Sequence, residues 1–467
     1  VHLVVIGGSD AGISAALRAR ELDPGVEVTV VVADRYPNFS VCGIPYHVSG
    51  EVPDWRNLAH RTIADLESAG MALRLGTVAR RIDAQRQEVL VSGHDHEEEL
   101  IAYDALVVAT GAVPVLPPID GVVGEGAVGA RDGLHLLRTM DNTFALTGAL
   151  AARDPAHAVI VGAGYVGLEM AEALRTRGLS VTQLEQRAEV LPSIDPDLGS
   201  LVHEELSRHG VDVRTSTTVQ AVVRAEDGLR LRCREEDSPA LVHADLVLVA
   251  TGVRPDAALA ADAGARLGAH GAIAVDDAMR TSLPSVFAAG DCAVTHHRLL
   301  GDTYLPLGTT AHKQGRVAGE NAIGGDRRFA GSLGTQVVKV FDVVAARTGI
   351  GDAEARSIGL QAAAVEIEAD DRKAYYPGSR RVRMRTTGDL GSGRLLGVQL
   401  VGHRDAAIAR RVDVAAAAIF SGLAVDELSD LDLSYTPPLG SPWDVLQAGA
   451  QAWCAEQGRA APLCTSG

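Results

Sequence analysis

Two stretches of the chain repeat one pattern, and that repetition restricts the fold more than any other feature of the sequence. Each has an apolar, β-rich run, a glycine-rich turn, a helix of small and apolar residues, and a second apolar run. The first is Leu3-Val4-Val5-Ile6-Gly7-Gly8-Ser9-Asp10-Ala11-Gly12, followed by Val26 to Val32. The second is Val159-Ile160-Val161-Gly162-Ala163-Gly164-Tyr165-Val166-Gly167, followed by Val181 to Leu184. Both read as βαβ units. A turn of this kind lets backbone N–H groups and a helix N-terminus approach a pyrophosphate that side chains would keep away. Two units predict two dinucleotide sites.

The second unit is the more regular. Gly162, Gly164 and Gly167 fit G-x-G-x-x-G, with Tyr165 and Val166 opening the helix, and Glu185 ends the next strand where a carboxylate takes a ribose diol. Glu185 would repel a 2′-phosphate, which favours NADH, while nearby Arg187 keeps NADPH open. In the first unit Gly7, Gly8 and Gly12 are present, but Ser9 stands where the middle glycine belongs. Asp34 follows the second strand and is the candidate for the other ribose.

The rest of the sequence narrows the class. A chain of 467 residues predicts two or three domains. Acidic residues outnumber basic ones by 60 to 43, a formal charge of -17, which argues against nucleic acid or an anionic membrane as partner. Apolar runs such as Leu246 to Ala250 fall short of the ~20 residues that span a bilayer. The sequence opens directly on a strand-like run without a signal-peptide pattern, so a cytoplasmic protein is expected. Its five cysteines (Cys42, Cys233, Cys292, Cys454, Cys464) lack the paired spacing of a metal site or disulfide framework.

Three further motifs complete a pattern: Leu106-Val107-Val108-Ala109-Thr110-Gly111, Leu246 to Pro255 with Thr251-Gly252 at its centre, and Val286-Phe287-Ala288-Ala289-Gly290-Asp291. Together with the glycine turns they resemble the pyridine nucleotide-disulfide oxidoreductase superfamily over residues 1 to about 325. The resemblance implies an α/β fold with two Rossmann-like dinucleotide-binding domains and a C-terminal α+β dimerisation domain. It places FAD on residues 1–112 and 251–325, NAD(P)H on 113–250, and a homodimer interface on 326–467. Gly290 and Asp291 would hold the flavin ribityl chain and phosphate, with Thr110, Gly111 and Gly252 lining the cofactors.

The segment Ser40-Val41-Cys42-Gly43-Ile44-Pro45-Tyr46 resembles the single-cysteine branch, which holds coenzyme A-disulfide reductases and NADH oxidases or peroxidases. The second thiol of glutathione reductase relatives would fall on His47, and no histidine lies beyond His403 to supply their catalytic base. With one cysteine, two electrons cannot be stored as an internal dithiol, so Cys42 must pair with a substrate sulfur or cycle through sulfenic acid. The resemblance therefore implies an enzyme that passes electrons from NADH through FAD to a small disulfide or persulfide, coenzyme A among the thiols. Its rivals are an NADH oxidase and a reductase serving a protein partner.

Ala374-Tyr375-Tyr376-Pro377-Gly378 and Leu433-Ser434-Tyr435-Thr436-Pro437-Pro438 resemble segments whose tyrosines reach the partner's cysteine in those relatives. They point to Tyr376 (or Tyr375) and Tyr435. Two departures count against coenzyme A itself: Val41 precedes the cysteine where Asn is usual, and Arg20-Glu21-Leu22 replaces an Arg-Arg-Leu run. Arg18, Arg20, Arg56 and Arg61 remain candidates for its phosphates. Asp10 stands where the peroxidase and oxidase branch has a histidine, and there it would oppose a Cys42 thiolate by like charge or itself become protonated, which argues against an efficient peroxidase. Cys454 and Cys464, ten residues apart, compare with C-terminal shuttle thiols.

Overall fold

The computed structural model describes residues 1–93, 97–124 and 126–458. Strand His2–Ile6 lies at the centre of a five-stranded parallel sheet. Glu27–Val32 and Ala105–Val108 flank it, and Met71–Leu75 and Val286–Ala288 form the edges. Successive side chains of a strand point to opposite faces. Leu3 and Val5 accordingly pack on helices Asp10–Leu22 and Gly308–Ala322, while Val4 and Ile6 meet the three-stranded meander Val78–Asp83, Glu88–Ser92, Glu98–Ala102. Burial on both faces explains why these strands are continuously apolar.

The second sheet repeats this plan around His157–Val161, with Ser180–Leu184 and Leu246–Val249 beside it and Val211–Arg214 and Leu134–Leu136 at its edges, all parallel. Helices including Tyr165–Thr176 and Pro196–Arg208 cover one face, and the meander Thr217–Ala225, Gly228–Glu235, Ser238–Ala244 covers the other. The chain crosses between the sheets twice. The crossings, Ala112–Pro114 and Val253–Pro255, pair antiparallel, just after Thr110-Gly111 and Thr251-Gly252.

The third unit is an antiparallel sheet in the order Gln336–Val340, Val343–Gly349, Leu395–His403, Arg381–Asp389, Ala362–Asp370. Helices Ile408–Ser421 and Val445–Glu456 pack on it through Val412, Ala415, Leu446 and Trp453. Trp453 donates its indole N–H to Ala363 O at 2.9 Å. Cys454 beside it is fully buried, which removes it from a shuttle role, and Cys464 lies outside the described residues. Among the described residues no helix is long and apolar enough to cross a membrane.

Helices Asp10–Leu22 and Gly308–Ala322 approach backbone to backbone. A Cβ on Gly315 would lie 2.2 Å from Ala11 O, and one on Gly319 2.1 Å from Ala15 O. The fold therefore fixes the spacing of the side chains that line this crossing.

Candidate active site

The two glycine turns are built alike. Gly7 and Gly162 have φ of +121° and +105°, and a Cβ on Gly12 or Gly167 would lie 2.0 or 2.2 Å from the carbonyl of Gly7 or Gly162. The outer glycines are thus demanded by the chain's own packing. The middle position is different: a Cβ on Gly164 would meet no protein atom within 4 Å. Its smallness leaves room for something outside the chain. Ser9, at the matching place in the first turn, is exposed and makes no capping bond, so the substitution disturbs nothing inside the fold. Gly8 packs against Val32, Tyr165 accepts a hydrogen bond from Ser193 Oγ at 3.1 Å, and Val166 is exposed.

Glu185 is buried and holds its own turn. Its Oε2 accepts from Ala163 N–H and its Oε1 from Arg187 N–H, both at 2.8 Å. Asp34 is half-buried, which pushes its carboxyl pKa up, and its Oδ1 accepts from Tyr36 N–H at 3.1 Å.

Gly290 presses on the first turn: its φ is +82°, its N–H donates to Gln314 Oε1 at 2.9 Å, and a Cβ would lie 2.7 Å from Ala11 Cβ. Burial raises the carboxyl pKa of Asp291, opposed by the Arg138 guanidinium at 3.8 Å. Two buried polar atoms nearby lack hydrogen-bond partners. They are Tyr304 Oη, whose phenol is pushed up by burial and then by Asp291, and Asn38 Oδ1, on a residue with φ of +57° whose N–H reaches Gly8 O at 2.6 Å. Open space at the turn, a half-buried acid and orphaned polar atoms fit a bound dinucleotide. Thr110 and Thr251 have structural employment: their hydroxyls donate to Asp256 O at 2.5 Å and Val115 O at 2.8 Å, tying the crossings together. Gly111 and Gly252 adopt positive φ of +76° and +102° beside them.

Cys42 lies in the short turn Val41–Gly43, which leads into helix Ile44–Ser49, with Pro45 near its start. Ile44 and Val48 bury against the second dinucleotide domain, so the thiol stands at the seam between the two sheets, open to solvent. Desolvation raises its pKa, and the like charges of Glu169, Asp10 and Asp291 raise it further. Glu169 follows the second glycine turn, on helix Tyr165–Thr176; burial pushes its carboxyl up to about 7, and Tyr46 Oη donates to it at 3.5 Å. One turn on, Glu172 pairs with Lys339 and accepts from Phe341 N–H at 2.8 Å, joining the third domain to this helix.

Several sequence expectations change. Asp10 meets a histidine from another helix: His312 Nε2 lies 3.3 Å from Asp10 Oδ1. Arg18 and Arg20 are not free for phosphates, because Arg18 pairs with Glu21 and Glu320 while Arg20 donates to the carbonyls of Ala69, Pro24 and Val26. Arg56 pairs with Asp54, and Arg61 is exposed. On the third domain the tyrosine that stands with Tyr435 is Tyr375, 72% exposed, whereas Tyr376 is half-buried. Desolvation and then a hydrogen bond with Tyr375 raise the Tyr435 phenol. Leu439 and Trp443, further along the segment of Tyr435, are exposed as well.

Residues 1–315 match the family described as pyridine nucleotide-disulphide oxidoreductase, and residues 335–445 its dimerisation domain. The chain is 34% identical to the NAD(P)H coenzyme A polysulfide/persulfide reductase of Pyrococcus horikoshii, covering 95% of this chain and 96% of that one. It is 30% identical to an NADH oxidase of Methanocaldococcus jannaschii, covering 97% and 98%. Among solved structures, a NAD-dependent persulfide reductase from A. fulgidus superimposes with a TM-score of 0.91 at 37% identity, covering 98% of this chain and 84% of that one.

Proposed function

Because the chain belongs to the pyridine nucleotide-disulphide oxidoreductase family, we propose that it uses NAD(P)H to reduce a small disulfide or persulfide of the coenzyme A type at Cys42. The observation that carries this reading is the position of Cys42: a single, solvent-open thiol at the seam of two dinucleotide domains. We assign FAD to residues 1–112 and 251–325, NAD(P)H to 113–250 and pairing of two copies to 326–467. Gly7, Gly8, Ser9, Gly12, Asp34, Thr110, Gly111, Gly290 and Asp291 then surround FAD, joined by Arg138, Tyr304 and Asn38. Gly162, Gly164, Tyr165, Val166, Gly167, Glu185 and Gly252 surround the nicotinamide dinucleotide.

FAD held by the residues named for it would supply the carrier that relays an electron pair from NADH to sulfur. The chain's own residues do the rest. The Cys42 thiolate attacks R–S–S–R′, forming Cys42–S–S–R and expelling R′S⁻, which takes a proton from the site. Two electrons then cleave the mixed disulfide, releasing RS⁻ and restoring the thiolate. Glu169, with its pKa near neutrality, can hold or yield a proton beside Tyr46. Tyr435 and Tyr375 are assigned to the partner's cysteine, where a phenol can protonate a departing thiolate.

The second reading, an NADH oxidase, has the M. jannaschii relative in its favour. Oxygen consumption per NADH, measured with and without coenzyme A disulfide, separates the two. Under the proposal, anaerobic NADH oxidation proceeds on adding the disulfide and yields two thiols per NADH. NADH consumption that requires oxygen and ignores the disulfide supports the oxidase instead.

A further inference from the structure

Helix Pro196–Arg208 ends against the third domain, and three side chains able to ligate a metal meet there. Glu205 is fully buried and His209 follows it by one turn, so both lie on one face of the helix. Asp342 comes from the turn that joins Gln336–Val340 to Val343–Gly349. One ligand atom of each lies within 4.8 Å of the other two, close to the span that a single ion bridges with bonds of about 2.1 Å. Glu205 Oε1 lies 3.1 Å from His209 Nε2 and accepts from Asp342 N–H at 3.0 Å. Its other oxygen pairs with Arg208, and Arg404 Nε lies 3.3 Å from Asp342 Oδ1. The imidazole is oriented by Phe341, whose ring stacks on it at 3.9 Å and 2°, and Phe341 N–H is fixed in turn by Glu172.

A hydrogen-bonded clasp between the two domains needs only Glu205, His209 and the N–H of Asp342. The Asp342 carboxylate adds nothing to that clasp and brings a second acid up to a buried one, an arrangement that a shared cation stabilises. Each arginine engages one oxygen of its carboxylate and leaves the other. His209 Nε2 offers a lone pair in the tautomer that carries its proton on Nδ1, and the carbonyl end of a helix favours positive charge. We propose that Glu205, His209 and Asp342 form a binding site for a divalent transition-metal ion of the Zn²⁺ type, which pins the end of helix Pro196–Arg208 to the Phe341-Asp342 turn of the third domain. One imidazole and two carboxylates are donors that such an ion accepts, whereas Mg²⁺ is held by oxygen alone. Arg208 and Arg404 then orient the carboxylates from behind, and water completes the coordination, because His209 and Asp342 are partly exposed.

The test is Zn²⁺ binding to the full, flavin-loaded chain, followed by titration calorimetry and by metal content after gel filtration. Cys42→Ser and Cys464→Ser, present throughout, remove thiols that would take zinc themselves, while Cys233, Cys292 and Cys454 are buried. One Zn²⁺ per subunit is expected, undisturbed by excess Mg²⁺ and accompanied by a rise in the unfolding temperature. Asp342→Asn keeps the backbone donor to Glu205, and His209→Gln keeps a side-chain donor, so both should fold. Each should nevertheless weaken Zn²⁺ binding at least about tenfold and lose the temperature rise. A merely structural clasp would leave both readouts unmoved by zinc. His203, on the same helix, faces Glu189 at 3.0 Å in a pair that has no third ligand among the described residues, so His203→Gln should leave binding unchanged. Failure of the parent chain to bind Zn²⁺, displacement by Mg²⁺, undiminished binding by Asp342→Asn and His209→Gln, or an equal loss in His203→Gln overturns the proposal.

Discussion

Replacing Cys42 by Ser should lower NADH-dependent reduction of coenzyme A disulfide by at least about a thousandfold, while flavin content and the single-turnover oxidation of NADH stay as in the unmodified enzyme. The serine oxygen keeps the size of the side chain but neither ionises near neutrality nor forms a bond to sulfur that NADH can reopen. The turn Val41–Gly43 carries Cys42 on the surface of the seam, and Ile44 and Val48 rather than the thiol anchor the segment in the core. The loss should therefore be chemical and not structural. Retained turnover would place the reaction at another group and end the single-cysteine mechanism.

The second large effect concerns assembly. If Tyr435 and Tyr375 serve the partner's Cys42, each catalytic centre is shared and the smallest active unit is a two-fold dimer with an isologous interface. Tyr435→Phe keeps the ring and removes only the hydroxyl, so dimerisation and flavin content should persist while the thiol-dependent half-reaction slows about ten- to a hundredfold. Mixing Cys42→Ser protomers with Tyr435→Phe protomers then gives heterodimers with one site carrying both lesions and one carrying neither. After subunit exchange, activity should rise well above that of either mutant homodimer. Heterodimers that form without regaining activity would show that Tyr435 does not act across the interface.

Much of this was legible in the sequence because it is local. A strand buried on both faces must be apolar throughout, and a helix N-terminus meeting a phosphate must be glycine-rich, so the units around Gly7 and Gly162 announce themselves. The Cys42 turn is a contiguous motif too. Arg138 was not legible: it follows an edge strand of the second sheet, Leu134–Leu136, and reaches Asp291 only because the two crossings lie side by side. His312 and Asp10 are far apart in the chain and meet through a helix crossing set by Gly315 and Gly319, which no periodicity reveals. Glu169 had a weak signal, an acid two residues after Gly167 on a nucleotide-binding helix, but its raised pKa comes from burial against the Cys42 helix. Glu185 was singled out for its spacing, and in the structure its two oxygens accept backbone N–H groups, so its removal would loosen the turn. That Tyr375 is exposed and Tyr376 half-buried is a matter of side-chain direction that adjacent identical residues conceal.

The most direct measurement is the intact and peptide mass of the non-reduced, purified protein before and after one equivalent of NADH. A small thiol in disulfide linkage to Cys42 is expected, removed on NADH addition with release of one thiol per subunit and leaving the Cys42 peptide at its unmodified mass. A Cys42 that carries no adduct after exposure to coenzyme A disulfide, in protein that still reduces that disulfide with NADH, would contradict the account at its centre.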